Sequence, residues 1–444
     1  MKEAIRLSQC MIVKDEEKNI RKALSWGRGI VCEQIVVDTG STDRTVELAE
    51  EMGAKVFHFP WVDDFSAAKN YAIAQASGNW IAFLDADESY SEEDAGKILG
   101  ILRQIEAEDE ERTRIYAVRS ALISIDDVGK PIVSFAQDRI FRNLDDLRYH
   151  NRIHEALKLS EESKRVWSYY PAETSLTIIH TGYSESTFRD TDKSERNIRL
   201  LSKELNEDPK SVRVLMYLGE SLETAGRAEE SEQMFRRALA LGPEHMEMNY
   251  RNLIFYHLMK NIFTRNLLEE ESELQSLYMQ AQHWDDTYPD FDYIMGLWYA
   301  QREAWEEAIR YLERGLTGLE QYRGMTPLYM VAGLKTVYYV LSNASWALHH
   351  PAPTVQYGIL CLRIDRYTGE VLKHLLFLLK DDPGEDAQAS GTFGILGSLY
   401  DFTGWKDQLL VYRCADAVGF YNLAERMKKL MSDEERMMLE GTDE

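Results

Sequence analysis

The sequence predicts an α/β domain followed by an all-α domain. Three observations lead there. The first 90 residues alternate short apolar strands with helices of about ten residues. Two of those strands, 34–38 and 80–84, run directly into acidic residues, Asp38 and Asp85. Beyond about residue 185 the pattern is helical and repeats.

Taken in order, Leu7 to Val13 is an apolar run and reads as the first strand. Glu16 to Trp26 has helical spacing, stopped by Gly27 and Gly29. Gln34 to Asp38 is a buried strand ending in the turn-rich stretch Thr39 to Asp43. Thr42 or Asp43 then caps a helix from Thr45 to Met52, closed by Gly53. Lys55 to Phe59 is the third strand, Ser66 to Gln75 a helix capped by Asp63 or Asp64, and Trp80 to Leu84 the fourth strand. Strands alternating with such helices make right-handed βαβ units and a parallel sheet, whose ligands sit at the carboxyl ends of the strands. From Ile115 to His180 the pattern changes. Strands are expected at 115–125 and 175–180, with a short one at 139–142, making the sheet mixed. Gly182 marks a boundary, so the expected domains are 1–184 and 185–444.

Composition narrows the function. The 444 residues carry 51 Lys and Arg against 75 Asp and Glu, a formal net charge of −24. Phosphate backbones and anionic membrane surfaces repel such a protein, so nucleic-acid and membrane-surface binding are poor fits. Four separated cysteines (Cys10, Cys32, Cys361 and Cys414) suggest reduced thiols and a cytoplasmic setting, not a disulfide framework. No apolar run reaches the roughly 20 residues of a membrane span.

No glycine-rich turn follows the first strand. Lys14-Asp15-Glu16-Glu17 stands there instead, which argues against a dinucleotide-binding dehydrogenase. A diphosphate can also be held through a divalent cation, and Asp85-Ala86-Asp87 offers carboxylates to such an ion. Burying these acids with no cation or partner would be costly. An acidic pair can equally cap a helix, and Asp87 or Ser91 could do so for a helix starting near Glu92.

Four ordered motifs resolve much of this. They are residues 11–17 (MIVKDEE), 37–45 (VDTGSTDRT), 67–70 (AAKN) and 83–88 (FLDADE). Together they resemble family 2 glycosyltransferases of the GT-A fold, over roughly the first 185 residues. The resemblance implies a Rossmann-like mixed sheet with helices on both faces and an inverting transfer of a hexose or N-acetylhexosamine from a UDP-sugar. It implies that Asp38 contacts the base and that Val13 and Glu16 line its pocket. Ser41 and Ala86 complete the nucleotide-sugar site, and Lys69 sits near the diphosphate or sugar. Asp85 contacts ribose or metal, and Asp87 ligates Mn²⁺ or Mg²⁺ and serves catalysis. For Asp38 the competing reading is a turn residue bonded to its own backbone.

The second half of the domain carries Arg139-Ile140-Phe141-Arg142, His150-Asn151-Arg152-Ile153-His154-Glu155 and His180-Thr181-Gly182-Tyr183. These look similar to the branch that includes bacteriocin peptide S-glycosyltransferases, which also carry helical-repeat tails. His180 is either a third metal ligand or phosphate contact, or a core histidine bonded to a carbonyl. On a helix His150 and His154 would share a face. His154 and Glu155 are read as acceptor-side residues that orient or deprotonate the nucleophile. The acidic pair that usually supplies the family's base has no clear counterpart here.

In the tail, Leu215, Leu218, Gly219, Leu222, Gly226, Phe235, Ala238 and Pro243 fall at tetratricopeptide offsets. A second copy runs over 292–320 through Met295, Gly296, Tyr299, Ala308 and Leu312, and a degenerate third starts near Gly397 and Tyr400. Trp284, Tyr288, Trp298, Tyr299 and Trp305 are read first as core, and otherwise as a peptide groove or a homodimer face. A polypeptide acceptor is expected, with Ser/Thr hydroxyl or Cys thiol as nucleophile. The alternatives are a saccharide or lipid-linked acceptor, or a non-enzymatic scaffold.

Overall fold

The computed structural model describes residues 4–109, 114–125, 131–173, 175–181, 191–324, 326–380 and 391–440. Gly182, Tyr183 and the expected boundary at 184 lie outside the described residues. The chain forms two compact units, Met1–Arg227 and Ala228–Glu444.

The first unit is a mixed sheet flanked by helices. Its strands are β1 (Leu7–Val13), β2 (Glu33–Asp38), β3 (Lys55–His58), β4 (Trp80–Phe83), β5 (Glu88–Tyr90), β6 (Ala117–Ile125), β7 (Pro131–Arg142), β8 (Leu147–His150), β9 (Ala156–Leu159), β10 (Tyr169–Pro171) and β11 (Thr177–His180). Helices α1 (Ile20–Ser25), α2 (Thr45–Glu51), α3 (Phe65–Ala74) and α4 (Glu92–Glu108) fall between them. The sheet order is β3-β2-β1-β4-β7-β6-β11-β5, with β10 also pairing β6, and β8 and β9 form a separate hairpin. The first four strands are parallel. β7 enters antiparallel between β4 and β6, which makes the sheet mixed as expected.

This order dictates where a ligand can sit. The chain leaves β1 toward β2 and β3, then returns on the other side of β1 to form β4. The carboxyl ends of β1 and β4 therefore diverge at a switch point and leave a crevice. Both strands are apolar because both sheet faces are covered. Cys10, Ile35, Val37, Ile81 and Phe83 pack on one face with Ala72 and Ile73 of α3. Trp80, Ala82 and Leu84 pack on the other with Ile98, Leu102 and Ile105 of α4.

Several expectations change. The first helix begins at Ile20, because a turn through Glu16 and Asn19 precedes it. Arg44, with no side-chain cap, sits at the N-cap of α2, although Asp43 does accept from the Thr45 amide at 2.9 Å. Asp64 caps α3 and Ser91 caps α4, which leaves Asp87 out of helix capping. The short strand expected at 139–142 is the end of the 12-residue β7. His150 and His154 share no helix: His150 ends β8, and His154 lies in the turn to β9 with φ +50°. The β8–β9 turn holds left-handed residues at Asn151 and His154, which a helix excludes.

Helices Thr191–Glu207 and Val212–Thr224 belong to the first unit, and the helix Ala228–Leu239 opens the second. The second unit is helical throughout its described residues, with sequential helices packed on one another. The second repeat is realised by Asp290–Ala300 and Trp305–Gln321. A Cβ at Gly296 would stand 2.5 Å from Leu312 Cγ and 2.6 Å from its Cδ2, so glycine here serves close helix approach. Tyr299 stacks on Tyr311 across the same pair, with ring centroids 5.5 Å apart. At Gly397 a Cβ would meet open space, so the close approach that would mark a third copy is missing. Tyr288 and Trp298 are fully buried and Trp284, Tyr299 and Trp305 partly so, in line with the core reading.

Gly296→Ala gains about 1 kcal/mol of helix propensity but forces overpacking that costs about 1–3 kcal/mol. We expect a net loss of stability, read as a lower denaturation midpoint of the second unit. An unchanged or raised midpoint would show that Leu312 moves aside at no cost.

Candidate active site at the ends of strands β1 and β4

The crevice predicted by the strand order is a cleft of about 450 Å³ lined by Val13, Lys14, Glu16 and Thr39 on the β1–β2 side. Lys69, Asp85, Ala86, Asp87 and His180 line its floor, and Trp61, Phe65, Ile153, His154, Glu155, Arg196 and Asn197 close the far side. Nine of the expected site residues therefore meet in one cleft: Val13, Glu16, Lys69, Asp85, Ala86, Asp87, His154, Glu155 and His180. Asp38 and Ser41 lie behind it.

The first two motif loops hold each other. The Thr42 amide donates to Asp15 Oδ1 at 2.7 Å, and the Asp15 amide to Ser41 Oγ at 2.9 Å. The Glu16 amide donates to Thr45 Oγ1 at 2.7 Å and the Glu17 amide to Asp43 Oδ2 at 3.1 Å. Asp38 is likewise occupied: its carboxylate accepts from the amides of Ser41 at 2.9 Å and Gly40 at 3.3 Å and faces His58 Nδ1 at 3.3 Å. Burial acts to raise its pKa, but the Ser41 hydroxyl and amide outweigh that and hold it below the usual carboxylate range. The turn-residue reading of Asp38 is thus the one its hydrogen bonds describe. Glu16 faces the cleft, and burial raises its carboxyl.

Lys69 and Asn70 do different work from adjacent positions on α3. Asn70 pins β8 in both directions: its Nδ2 donates to the Tyr149 carbonyl at 2.8 Å, and its Oδ1 accepts from the Tyr149 amide at 2.9 Å. The Lys69 side chain is 2% exposed and lies between Phe83 and Tyr149. Its ammonium pairs with Glu155 Oε1 and stands 3.4 Å from Asp85 Oδ1. Desolvation opposes its charge, yet Asp85 and Glu155 raise its pKa well above the ordinary lysine value. Glu155, which burial alone would raise, is held below the usual range by Lys69.

Arg139 is the main residue that sequence reasoning left without a role, although its motif was visible. From β7 its Nη2 reaches Asp85 Oδ2 at 3.0 Å and also pairs with Glu88. Glu88 in turn accepts the Asp85 amide at 3.1 Å. Both Asp85 oxygens thus face cations, and these hold its carboxyl far below the ordinary range against the pull of burial. Lys69 in this place braces the acidic loop and the β8–β9 turn.

Asp87 and His180 form a separate pair. Antiparallel register sets His180 of β11 opposite Glu88 of β5, one residue from Asp87. His180 Nε2 lies 3.2 Å from Asp87 Oδ2, and its Nδ1 lies 3.0 Å from Ser124 Oγ. The competing carbonyl-bonded core role for His180 is not what these contacts describe. Among the described residues no three His, Cys, Asp or Glu side chains are gathered to hold a metal. Of the expected set Asp85, Asp87 and His180, Asp85 has both oxygens facing Lys69 and Arg139, while the last two face each other. Their separation nonetheless suits an ion: adjacent ligands at 2.1 Å in octahedral geometry stand about 3.0 Å apart. A carboxylate is an ordinary ligand for Mn²⁺ or Mg²⁺, and an imidazole steadied on its far nitrogen would add a nitrogen ligand that the harder Mg²⁺ takes less readily.

A curled mixed sheet of this order, with an acidic cleft at its switch point, defines a GT-A-type fold. Residues 8–110 match the family model for glycosyl transferase family 2. The chain is 32% identical over 257 residues to a TPR repeat-containing protein of Synechococcus elongatus, covering 57% of this chain and 60% of that one. It is 28% identical over 238 residues to the SPbeta prophage-derived glycosyltransferase SunS of Bacillus subtilis, covering 52% of each. The chain thus spans between half and two thirds of the length of these relatives. A structure of S. aureus TarS 1–349 in complex with UDP-GlcNAc aligns with TM-score 0.35 and 16% identity, covering 61% of this chain and 92% of that one. No described helix is long and apolar enough to cross a membrane.

Lys69→Met removes the cation between two carboxylates. Breaking such a buried pair from one side costs about 3–5 kcal/mol. Chemical denaturation of the variant should show a loss of that order. A loss under about 1 kcal/mol would mean that solvent reaches the site and screens it.

Proposed function

We propose that the protein is an inverting, divalent-metal-dependent glycosyltransferase that moves a hexose or N-acetylhexosamine from a UDP-sugar to a polypeptide hydroxyl or thiol. The observation that carries this reading is the Asp87–His180 pair, 3.2 Å apart on the cleft floor, across from His154 and Glu155. We take residues 1–184 as the catalytic domain and the helices after it as a repeat domain, in a cytoplasmic protein whose four cysteines are free.

The parts divide the work. Val13 and Glu16 line the base end of the donor site, shaped by the interlocked loops that Asp38 and Ser41 hold. Ala86 keeps the turn between two acids narrow. Asp87 and His180 hold Mn²⁺ or Mg²⁺, with Ser124 orienting the imidazole. An ion held there would supply Lewis-acid stabilisation of charge on a departing UDP. Asp85, braced by Lys69 and Arg139, fixes the backbone from which Asp87 projects. On the acceptor side His154 takes the nucleophile's proton. Burial holds its pKa below the ordinary histidine value, so the ring is neutral and able to accept near pH 7. Glu155, ionised and bound to Lys69, anchors the turn that presents His154. A thiol acceptor needs less of this help, since it is partly thiolate at neutral pH. The helical repeats support a polypeptide acceptor, because such arrays offer long surfaces to extended chains.

Asp87→Ala should abolish Mn²⁺-dependent UDP binding in calorimetry and cut turnover by several orders of magnitude. Chelation of the wild type should do the same reversibly. Undiminished Mn²⁺-dependent UDP affinity in the variant would count against the assignment. Intact-mass analysis of peptides against saccharide acceptors tests the acceptor: a mass gain of one sugar on saccharides alone would remove the polypeptide.

A further inference from the structure

The β8–β9 turn is held in a strained shape from two sides. Asn151 and His154 both have left-handed backbones, at φ +77° and +50°. Such residues cost about 1–3 kcal/mol each and persist where the surroundings over-determine them. On one side, the Phe65 amide of α3 donates to the Arg152 carbonyl at 2.8 Å and Ser66 Oγ to the Asn151 carbonyl at 2.6 Å. On the other, the helices after the core close in. Arg152 pairs with Glu207 at 2.8 Å, and Arg213, itself paired with Glu204, donates to the Ile153 carbonyl at 3.4 Å.

The imidazole of His154 is placed differently. Among the described residues neither ring nitrogen has a hydrogen-bond partner. Its ring instead stacks on Tyr217, with centroids 3.8 Å apart and planes 4° from parallel. Tyr217 comes from the helix Val212–Thr224, outside the catalytic domain but inside the same compact unit. A base is usually aimed by a hydrogen bond to its second nitrogen. Here a flat aromatic face sets the ring plane and leaves both nitrogens for the acceptor.

We propose that Tyr217 is a positioning residue for His154, so that the first helix of the repeat region is a working part of the acceptor site. This rests on the reading of His154 as the acceptor-side base. The face of the ring, not the phenol hydroxyl, does the positioning, so Phe replaces Tyr and an aliphatic side chain of similar bulk does not.

The test uses the full chain with UDP-sugar and a peptide acceptor. Tyr217→Leu and Tyr217→Ala should lower kcat about tenfold to hundredfold, the size of effect that a small misplacement of a reacting group produces. KM for the UDP-sugar should stay within about twofold, because the donor end of the cleft is untouched. Tyr217→Phe should restore turnover. In proton NMR the His154 ring resonances should sit upfield in the wild type and Tyr217→Phe, and move downfield in Tyr217→Leu. Full kcat in Tyr217→Leu, or equal impairment of Phe and Leu variants, overturns the proposal. His154→Ala separates the two levels: if it is impaired while Tyr217→Leu is not, the stack alone is refuted. If His154→Ala keeps full turnover, the reading of His154 falls and the positioning role with it.

Discussion

A buried lysine ammonium holds the site together. Lys69 sits in an apolar slot between Phe83 and Tyr149, where an unpaired charge would be intolerable. Asp85 and Glu155 make it tolerable, and each comes from a different part of the chain. Asp85 follows β4 and leads into the loop of Asp87. Glu155 opens β9 and closes the turn of His154. One charge thus ties the loop of Asp87 to the turn of His154. Arg139 repeats the device one step deeper by joining Asp85 to Glu88. The geometry between Asp87 and His154 is therefore set by an interior salt-bridge chain, which the loops inherit from the strands and from α3.

Much of the acid in the motifs serves this architecture. Asp15 and Asp43 accept backbone amides of each other's loops, and Asp38 accepts an amide of its own turn. These bonds satisfy amides at two strand ends and at the start of α2, where no ladder or helix bond is available. The acids of these motifs thus shape the wall of the cleft from behind.

The parallel half of the fold was legible because its signals are local. Leu7–Val13 emerged with the boundaries its apolar run predicts, and Asp64 and Ser91 cap the helices that follow them. Nine site residues could be named because the motifs are contiguous and sit at strand ends. Illegible parts depend on distant partners or on very short strands. β5 and β10 have three residues each and no periodicity to read. Arg139 finds Asp85 and Glu88 at separations of 54 and 51 residues. The spacing of His150 and His154 suggested a helix face, but Asn70, half a domain away, ties Tyr149 into a strand and leaves His154 in a turn. Tyr217 lies in a repeat pattern, where an aromatic residue reads as packing.

The distribution of charge also sets Asp87 apart from the other acids of the cleft. Asp85, Glu88 and Glu155 each have a lysine or arginine partner. Among the described residues Asp87 has none, and its carboxylate faces only the imidazole of His180. The acids of the interior network are already neutralised by Lys69 and Arg139, so on the reading proposed above a divalent ion would be held by Asp87 and His180 instead.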